Sequence, residues 1–269
     1  MLIAKIRRLL SYNLLKTVYV NLRVFPFKVA IKLPLQVGWR VDFRNIYRGC
    51  VKINDGTETK RFMVKVGISP IPMISTKNDY TLIRFAKGGC ITVGDDILIH
   101  NGVSLITSEG GLIHIGSDCM INQRTKIYSQ KGVTIGNHCR IGWECQILDS
   151  DCHLVFNENK GTIGNPIGEI KIGDNVWIAS RSSVMKGVTL PSYSIVSGNS
   201  VVLKSFGDIT TKGNLFAGSP AVLKATGIYR LLNASFEMQM KKRFMQSGVK
   251  YINESELNDF CFKNYLSRK

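Results

Sequence analysis

The sequence lacks the features that mark several whole classes of protein. No stretch approaches the roughly 18 to 20 uninterrupted apolar residues that a membrane-spanning helix needs. Arg7, Arg8 and Lys16 interrupt the N-terminal apolar residues, so no signal-peptide pattern is present. The seven cysteines are an odd number without paired Cys-x-x-Cys spacing, which argues against a disulfide framework and a structural zinc site. We therefore expect a cytoplasmic protein with reduced thiols.

Acidic residues are absent from the first 41 positions, although the whole chain has 19 Asp and Glu beside 36 Lys and Arg, and a formal net charge of +17. In the same stretch, apolar residues recur at helical spacing at Ile3, Ile6, Leu10, Leu14 and Val18. We predict a basic amphipathic helical arm over residues 1–40. It reads either as a peripheral contact with the inner face of the plasma membrane or as a cap packed on the main body. Nucleic-acid binding is disfavoured, because no stacking aromatics or recognisable module accompany the charge.

A six-residue repeat runs through the middle of the chain. IGSDCM, IGNHCR and IGDNVW each open with an aliphatic residue and place a compact residue fifth. This period fits neither an amphipathic helix nor simple strand alternation. Six residues form a short strand and a corner, so three hexads close a triangular coil of about 18 residues, and coils stack about 4.8 Å apart. The second and third positions, often Gly, Asn or Asp, are expected at corners with positive φ.

Equivalent coil starts mark the register of this prism, and they fall at Val93, Ile115, Ile135, Ile172 and Leu190. The step from position 172 to position 190 is 18 residues, whereas the step from 135 to 172 is 37, so one coil carries an insertion of 19. We place this insertion as a loop over residues 154–169. The register assigns the remaining candidates to structural positions: Cys119, Cys139 and Cys145 to compact interior slots, His100 and His138 to corners, and His114 to an outer face.

Three regions follow from these patterns. Residues 1–40 form the arm, residues 41–224 the β-helix, and residues 225–269 a C-terminal helical extension. Helices are predicted over AVLKATGIYRLLNASFEMQMKKRFMQ and SELNDFCFKNYL, where they would cap or brace the end of the prism.

Residues 91–224 resemble the hexapeptide-repeat acyltransferases, and among them the galactoside and maltose acetyltransferases and the O-acetyltransferases that decorate bacterial surface polysaccharides. IGDNVWIASRSSVMKGVTL, SIVSGNSVVLKS and LFAGSPAVLKA carry the resemblance, in the order that the family has them. The resemblance implies a mainly β fold, a left-handed parallel β-helix, assembled as a homotrimer with active sites between subunits. It also implies transfer of an acetyl group from acetyl-CoA to a sugar hydroxyl, without a metal, in capsule, O-antigen or exopolysaccharide biosynthesis. The glycan acceptor would be free or lipid-linked.

His153, in the sequence Asp-x-Asp-x-His, matches the catalytic histidine of that family. An alcohol is a poor nucleophile at neutral pH, and histidine suits the task of general base. In locally extended chain Asp149, Asp151 and His153 project to one side, so a carboxylate can orient the imidazole. We favour Asp151 for this role over Asp149, and both also fit as corner or turn residues.

The resemblance further implies sites for the two substrates. A backbone N–H of the coil beginning at Ile178 is the expected donor to the thioester oxygen, and Lys204 and Lys224 are candidates for the CoA phosphates. The full set for CoA is Trp177, Ile178, Ala179, Ser180, Gly198, Lys204, Gly218, Ser219, Pro220 and Lys224. For the acceptor, Asn122 matches an active-site asparagine and Trp143 offers an aromatic platform to a sugar.

Other functions remain open at this point. An amino sugar acceptor would make the protein an N-acetyltransferase. A lyase resembling the γ-class carbonic anhydrases would need three histidines around zinc, and the four histidines here lack the closely spaced pair of that family. A non-catalytic β-helix would need neither the loop nor AGSPAVLKA.

Overall fold

The computed structural model describes residues 12–69, 74 and 78–256. Its helices are α1 (Leu14–Val24), α2 (Phe27–Ala30) and α3 (Ala234–Ser247), with short 3-10 turns at Glu158–Lys160 and Glu254–Glu256. Its strands, in chain order, are β1 (Leu35–Val37), β2 (Val41–Arg44), β3 (Val51–Ile53), β4 (Val64–Val66), β5 (Thr81–Arg84), β6 (Cys90–Val93), β7 (Ile97–Ile99), β8 (Ser104–Thr107), β9 (Leu112–Ile115), β10 (Met120–Ile121), β11 (Lys126–Ser129), β12 (Gly132–Ile135), β13 (Arg140–Ile141), β14 (Gln146–Leu148), β15 (Phe156–Asn157), β16 (Thr162–Ile163), β17 (Ile170–Ile172), β18 (Trp177–Ile178), β19 (Ser183–Met185), β20 (Thr189–Leu190), β21 (Ser194–Val196), β22 (Val201–Val202), β23 (Asn214–Gly218) and β24 (Ala221–Ala225).

Three parallel sheets form the walls of a triangular prism. Sheet A runs β1-β4-β7-β10-β13-β18-β21-β23-β24, sheet B runs β2-β5-β8-β11-β14-β19-β22, and sheet C runs β3-β6-β9-β12-β17-β20. From β1 to β22, apart from the β15–β16 hairpin, each strand is followed along the chain by a strand of the next sheet, so three strands complete one coil. Only the closing pair β23–β24 departs from parallel pairing within these sheets. The predicted left-handed parallel β-helix is confirmed.

The predicted coil starts form one column of paired residues on sheet C. Val93, Ile115, Ile135, Ile172 and Leu190 are successive partners in the register, and each is at most 2% exposed. Cys119, Cys139 and Cys145 are buried as the compact slots required. Burying one such aliphatic side chain stabilises the fold by roughly 1.5 to 3 kcal/mol, so the repeat is at the same time the register and the core.

The corner geometry differs from the expectation in one position. Positive φ falls on the fourth residue of the hexads, as at Asp118, His138 and Asn175, and not on the second or third. Glycine is needed at the second position for another reason: a Cβ on Gly136 would lie 2.7 Å from the carbonyl carbon of Gly173 in the next coil. His138 lies at a corner, where its Nδ1 is 2.9 Å from an Asp118 carboxylate oxygen. His114 lies half-buried on the outer face of sheet C.

The N-terminal helix caps the first coil. Val20, Asn21 and Val24 of α1 are buried, and the Asn21 side chain both accepts from Leu35 N–H and donates to its carbonyl, with distances of 3.0 and 2.8 Å. Leu14 and Val18 of the predicted apolar face are exposed instead; Ile3, Ile6 and Leu10 lie outside the described residues. Coil strands begin at β1, so the boundary expected at residue 40 is too late.

The C-terminal end is less helical than predicted. Residues 221–225 form β24, which pairs antiparallel with β23. In this way β24 covers the edge of β23, the last parallel strand of sheet A. Helix begins only at Ala234, and most of the second predicted helix falls on residues 257–269, outside the described range. Among the described helices, none has the length and apolar character needed to cross a membrane.

Candidate active site

The inserted segment leaves the prism at the corner between sheets B and C. It joins β14 to β17 and contains the antiparallel hairpin β15–β16. Its stem is closed by backbone bonds in which Asp151 N–H donates to Pro166 O and Gly168 N–H donates to Asp149 O, with distances of 2.8 and 2.9 Å. Apolar side chains along this hairpin are exposed to solvent: Leu154, Val155, Phe156 and Ile163.

Asp149 anchors the start of this loop inside the fold. Its side chain is fully buried. One carboxylate oxygen accepts from the backbone N–H of Gln130 at 2.7 Å, and the other accepts from Ser129 Oγ, Lys131 N–H and Gly132 N–H at 2.9, 2.9 and 2.7 Å. Concave runs of backbone N–H groups of this kind hold anions. The expectation that Asp149 shares a face with His153 is therefore wrong, because Asp149 continues the inward alternation of Ile147.

Asp151 turns outward and forms an ion pair with Lys186. The distance from its Oδ2 to Lys186 Nζ is 2.7 Å, and about a third of each side chain is exposed. Lys186 Nζ also donates to Asn165 O, on the returning arm of the loop. Lys186 thus joins the two arms of the stem. Asp151 makes no hydrogen bond or ion pair with His153, so the single chain does not show the role of orienting carboxylate that we favoured for it.

His153 lies at the first turn outside the coil register. Its side chain is exposed and makes no hydrogen bond or ion pair with the residues that the structure describes. The hexad pattern would have directed this residue into the interior, so the register ends before it. An exposed imidazole can take a proton from a substrate that approaches from outside the prism.

A groove of about 740 Å³ follows the corner between sheets A and B across five coils. The predicted acceptor residues Asn122 and Trp143 and the predicted CoA residues Trp177, Ala179, Ser180 and Gly198 all line it; Leu98, His100, Met120, Gly142, Arg181 and Asn199 complete the lining. Asn122 Nδ2 donates to Ile141 O at 2.8 Å, which fixes the amide at the groove wall. The structure therefore brings together six of the twelve predicted substrate residues, namely both acceptor residues and four of the ten for CoA.

The coil after Trp177 offers one candidate donor for an oxyanion. Ile178 is buried in the interior, so its side chain cannot contact a ligand, contrary to its inclusion among the CoA residues. The N–H of Ala179 donates to Val196 O at 2.8 Å. The N–H of Ser180 has no acceptor among the described residues, and the same is true of the N–H groups of Trp143 and Gly198; Ser180 is the one of these three on the coil expected to supply the donor.

The remaining CoA candidates lie towards the C-terminal coils. Gly218 ends β23, and Ser219 and Pro220 form the exposed turn that leads to β24. The N–H of Gly218 donates to Ser200 Oγ at 3.2 Å. The register from Val196 to Phe216 places this turn on the next coil beyond Gly198. Lys204 and Lys224 are exposed but do not line the groove.

His100 is a groove residue that the corner assignment undervalued. It is only 3% exposed, and neither ring nitrogen has a hydrogen-bond partner among the described residues. Burial lowers its pKa to about 4. The sequence repeat could have placed His100 in the groove, because His100 follows Ile99 as Asn122 follows Ile121 in the paired strands.

The halves of the predicted site lie on different edges of one chain. His153 leaves the corner between sheets B and C, whereas the groove follows the corner between sheets A and B. Among the described residues there is no cluster of three or more His, Cys, Asp or Glu side chains that would hold a metal ion.

Comparison with known proteins identifies the fold. No family model matches the chain. The polySia-specific acetyltransferase NeuO is similar to it with 21% identity and a TM-score of 0.53, covering 82% of this chain and 84% of that one. A hexapeptide-repeat acetyltransferase from Vibrio cholerae O1 biovar eltor, solved with acetyl coenzyme A, has 23% identity and a TM-score of 0.42 over 52% and 71% of the chains. A maltose O-acetyltransferase from Clostridium difficile 630 has 21% identity and a TM-score of 0.36 over 52% and 67%. The likeness to NeuO supports the β-helix fold along most of the chain.

Proposed function

We propose that this protein is an acetyl-CoA-dependent O-acetyltransferase that acts on a sugar hydroxyl in a bacterial surface polysaccharide. The observation that carries the proposal is His153, an exposed imidazole without a protein partner among the described residues, placed where the insertion interrupts the coils. The activity named for NeuO, on the same fold, supports this choice. No metal is required by the reaction.

The reaction uses His153 twice. Its free ring nitrogen takes the proton of the acceptor hydroxyl while the hydroxyl oxygen bonds to the thioester carbonyl carbon. The carbonyl oxygen becomes an oxyanion and accepts from Ser180 N–H. The carbon–sulfur bond then breaks, the CoA thiolate takes the proton from the imidazolium, and the acetylated sugar and free CoA leave. CoA would lie along the C-terminal coils of the groove, with Lys204 and Lys224 near its phosphates.

The site requires more than one chain. His153 and Ser180 lie at different corners of the prism, so a homotrimer with clefts between subunits would place His153 of one chain against the groove of its neighbour. The exposed apolar side chains of the loop, Leu154, Phe156 and Ile163 among them, suit burial against a second subunit.

The N-terminal cap suggests a second contact, with an anionic membrane. Leu15, Tyr19, Phe27 and Ile31 are 84, 60, 67 and 59% exposed, in a stretch with eight basic and no acidic residues up to position 41. Apolar and basic side chains together favour an interfacial position on anionic lipid. The wild type should sediment together with phosphatidylglycerol vesicles, whereas the double variant Leu15→Glu/Phe27→Glu should stay in the supernatant. This contact would be refuted if the wild type bound phosphatidylcholine vesicles as well as it binds phosphatidylglycerol vesicles, or if it bound neither.

The activity is tested with His153→Ala. Purified protein is incubated with acetyl-CoA and, in turn, polySia, maltose and glucosamine, and free CoA thiol and acetylated product are measured. We expect turnover to fall by roughly 10² to 10⁴ in the variant, with unchanged melting temperature and CoA affinity. His114→Leu, on the outer face of sheet C, is the matched control and should retain turnover.

The same panel separates the alternatives. Faster acetylation of the glucosamine amine than of any hydroxyl would make the protein an N-acetyltransferase. Binding of CoA without turnover on any acceptor would favour a non-catalytic β-helix, and undiminished turnover in His153→Ala would remove the assigned base.

A further inference from the structure

His100 carries a polar ring that the fold itself does not use. Its backbone is fixed, because its N–H donates to Ile121 O at 2.9 Å and its carbonyl accepts from Thr81 Oγ1 at 3.2 Å. The residue is only 3% exposed, and it lines the groove at the end farthest from the CoA candidates. Both ring nitrogens lack a partner within the described part of the chain.

A second unused polar group lies at the same corner of the next coil. Gln123 is fully buried, and both polar atoms of its amide lack partners among the described residues. Buried polar groups are normally hydrogen-bonded, so such groups call for a specific explanation. Other coils place Gly142 and Ala179 in the slot of His100, so the fold does not need a histidine there.

The position of His100 indicates which part of a ligand it would meet. Three coils separate it from Ser180, or about 14 Å at about 4.8 Å per coil. That distance is too great for contact with the reacting hydroxyl. The wall between them is formed by Asn122 and Trp143, beside the apolar side chains of Leu98 and Met120.

We propose that His100 is a specificity-determining residue of a carbohydrate subsite for the sugar unit next to the one that is acetylated. The apolar wall of Leu98, Met120 and Trp143 receives a sugar face, and the neutral imidazole exchanges a hydrogen bond with a hydroxyl or carbonyl of that unit. Because both nitrogens are covered in the free chain, the ring turns towards the groove when the acceptor binds. The proposal rests on the carbohydrate acetyltransferase function proposed above.

The test compares His100→Leu, His100→Gln and the control His114→Leu. The acceptor is whichever of polySia and maltose the wild type acetylates faster, because both have a sugar unit next to the acetylated one. We expect His100→Leu to raise the KM for the acceptor about 10-fold or more, with kcat within about 3-fold, an unchanged dissociation constant for CoA and a melting temperature at or above that of the wild type. His100→Gln should restore part of the affinity, and His114→Leu should leave the KM unchanged. In the wild type, acceptor should shift the imidazole NMR signals of His100.

Four outcomes would overturn the inference. An unchanged acceptor KM in His100→Leu, with an active wild type, refutes the subsite alone. A lower melting temperature with unchanged KM shows that the ring is paired inside the protein. Loss of the assembly in size-exclusion chromatography shows that it is paired with a second subunit. Absence of wild-type turnover on polySia and maltose refutes the subsite, and absence on glucosamine as well refutes the proposed function with it.

Discussion

Replacement of Asp149 by Asn tests whether the loop is anchored from inside the prism. The carboxylate accepts four hydrogen bonds, three from consecutive backbone N–H groups at the corner of residues 130–132 and one from Ser129 Oγ. The amide of Asn keeps one oxygen, which can stay with three of these donors. Its NH₂ group then faces the N–H of Gln130, so one buried donor loses its partner.

The expected loss follows from these contacts. A hydrogen bond to a charged group contributes about 1.5 to 3 kcal/mol, and the three that remain are weakened because the acceptor is now neutral. We therefore expect the free energy of unfolding to fall by about 3 to 4 kcal/mol, measured by urea unfolding at pH 7. Asp151→Asn is the matched control, two residues away in the same motif.

The control should behave differently because its ion pair is partly exposed. The Asp151–Lys186 pair spans 2.7 Å with side chains 34% and 29% exposed, and such pairs contribute about 1 kcal/mol or less. A loss below 1 kcal/mol in Asp149→Asn, or an equal loss in both variants, would refute the assignment of Asp149 as the buried anchor.

The coils were predictable because each coil offers the same interior space, which the sequence fills with a similar side chain every six residues. An aliphatic residue such as Ile135 fills the same slot in every coil, so a period of six fixes strand, corner and register together. The 19-residue insertion is visible by the same arithmetic. The buried face of helix α1 was harder to predict, because it includes Asn21 and Thr17, whose side chains hydrogen-bond to the backbone of β1. Polar residues with this role do not appear in a pattern of apolar residues.

The site was predictable in its parts but not in its connections. Side-chain alternation from Ile147 directs Asp149 inward. The prediction that Asp149 and His153 share a face assumed an extended chain up to His153, but Cys152 has a left-handed backbone with φ 61° that breaks the alternation. The groove collects Asn122, Trp143 and Trp177 because they occupy equivalent corners of stacked coils. No spacing rule indicates that His153 lies on another edge, since that relation depends on which sheets flank each corner.

Two further predictions concern the groove. Trp143→Ala should raise the acceptor KM by about 10-fold without changing CoA affinity, measured by steady-state kinetics and calorimetry, because the sugar face loses the apolar surface of the indole. A 10-fold change corresponds to about 1.4 kcal/mol. Acid should destabilise the wild type more than His100→Leu. Burial lowers the pKa of His100 from its ordinary value of 6.5 in the unfolded chain to about 4 in the folded chain, so the unfolded chain binds the additional proton. Stability from the neutral ring is complete above pH 6.5 and is lost as the pH falls towards 4, by about 2 to 3 kcal/mol at 1.36 kcal/mol per pKa unit. Urea unfolding of both proteins at pH 7 and pH 4 measures the difference, and parallel losses would show that the ring of His100 is not buried as a neutral group.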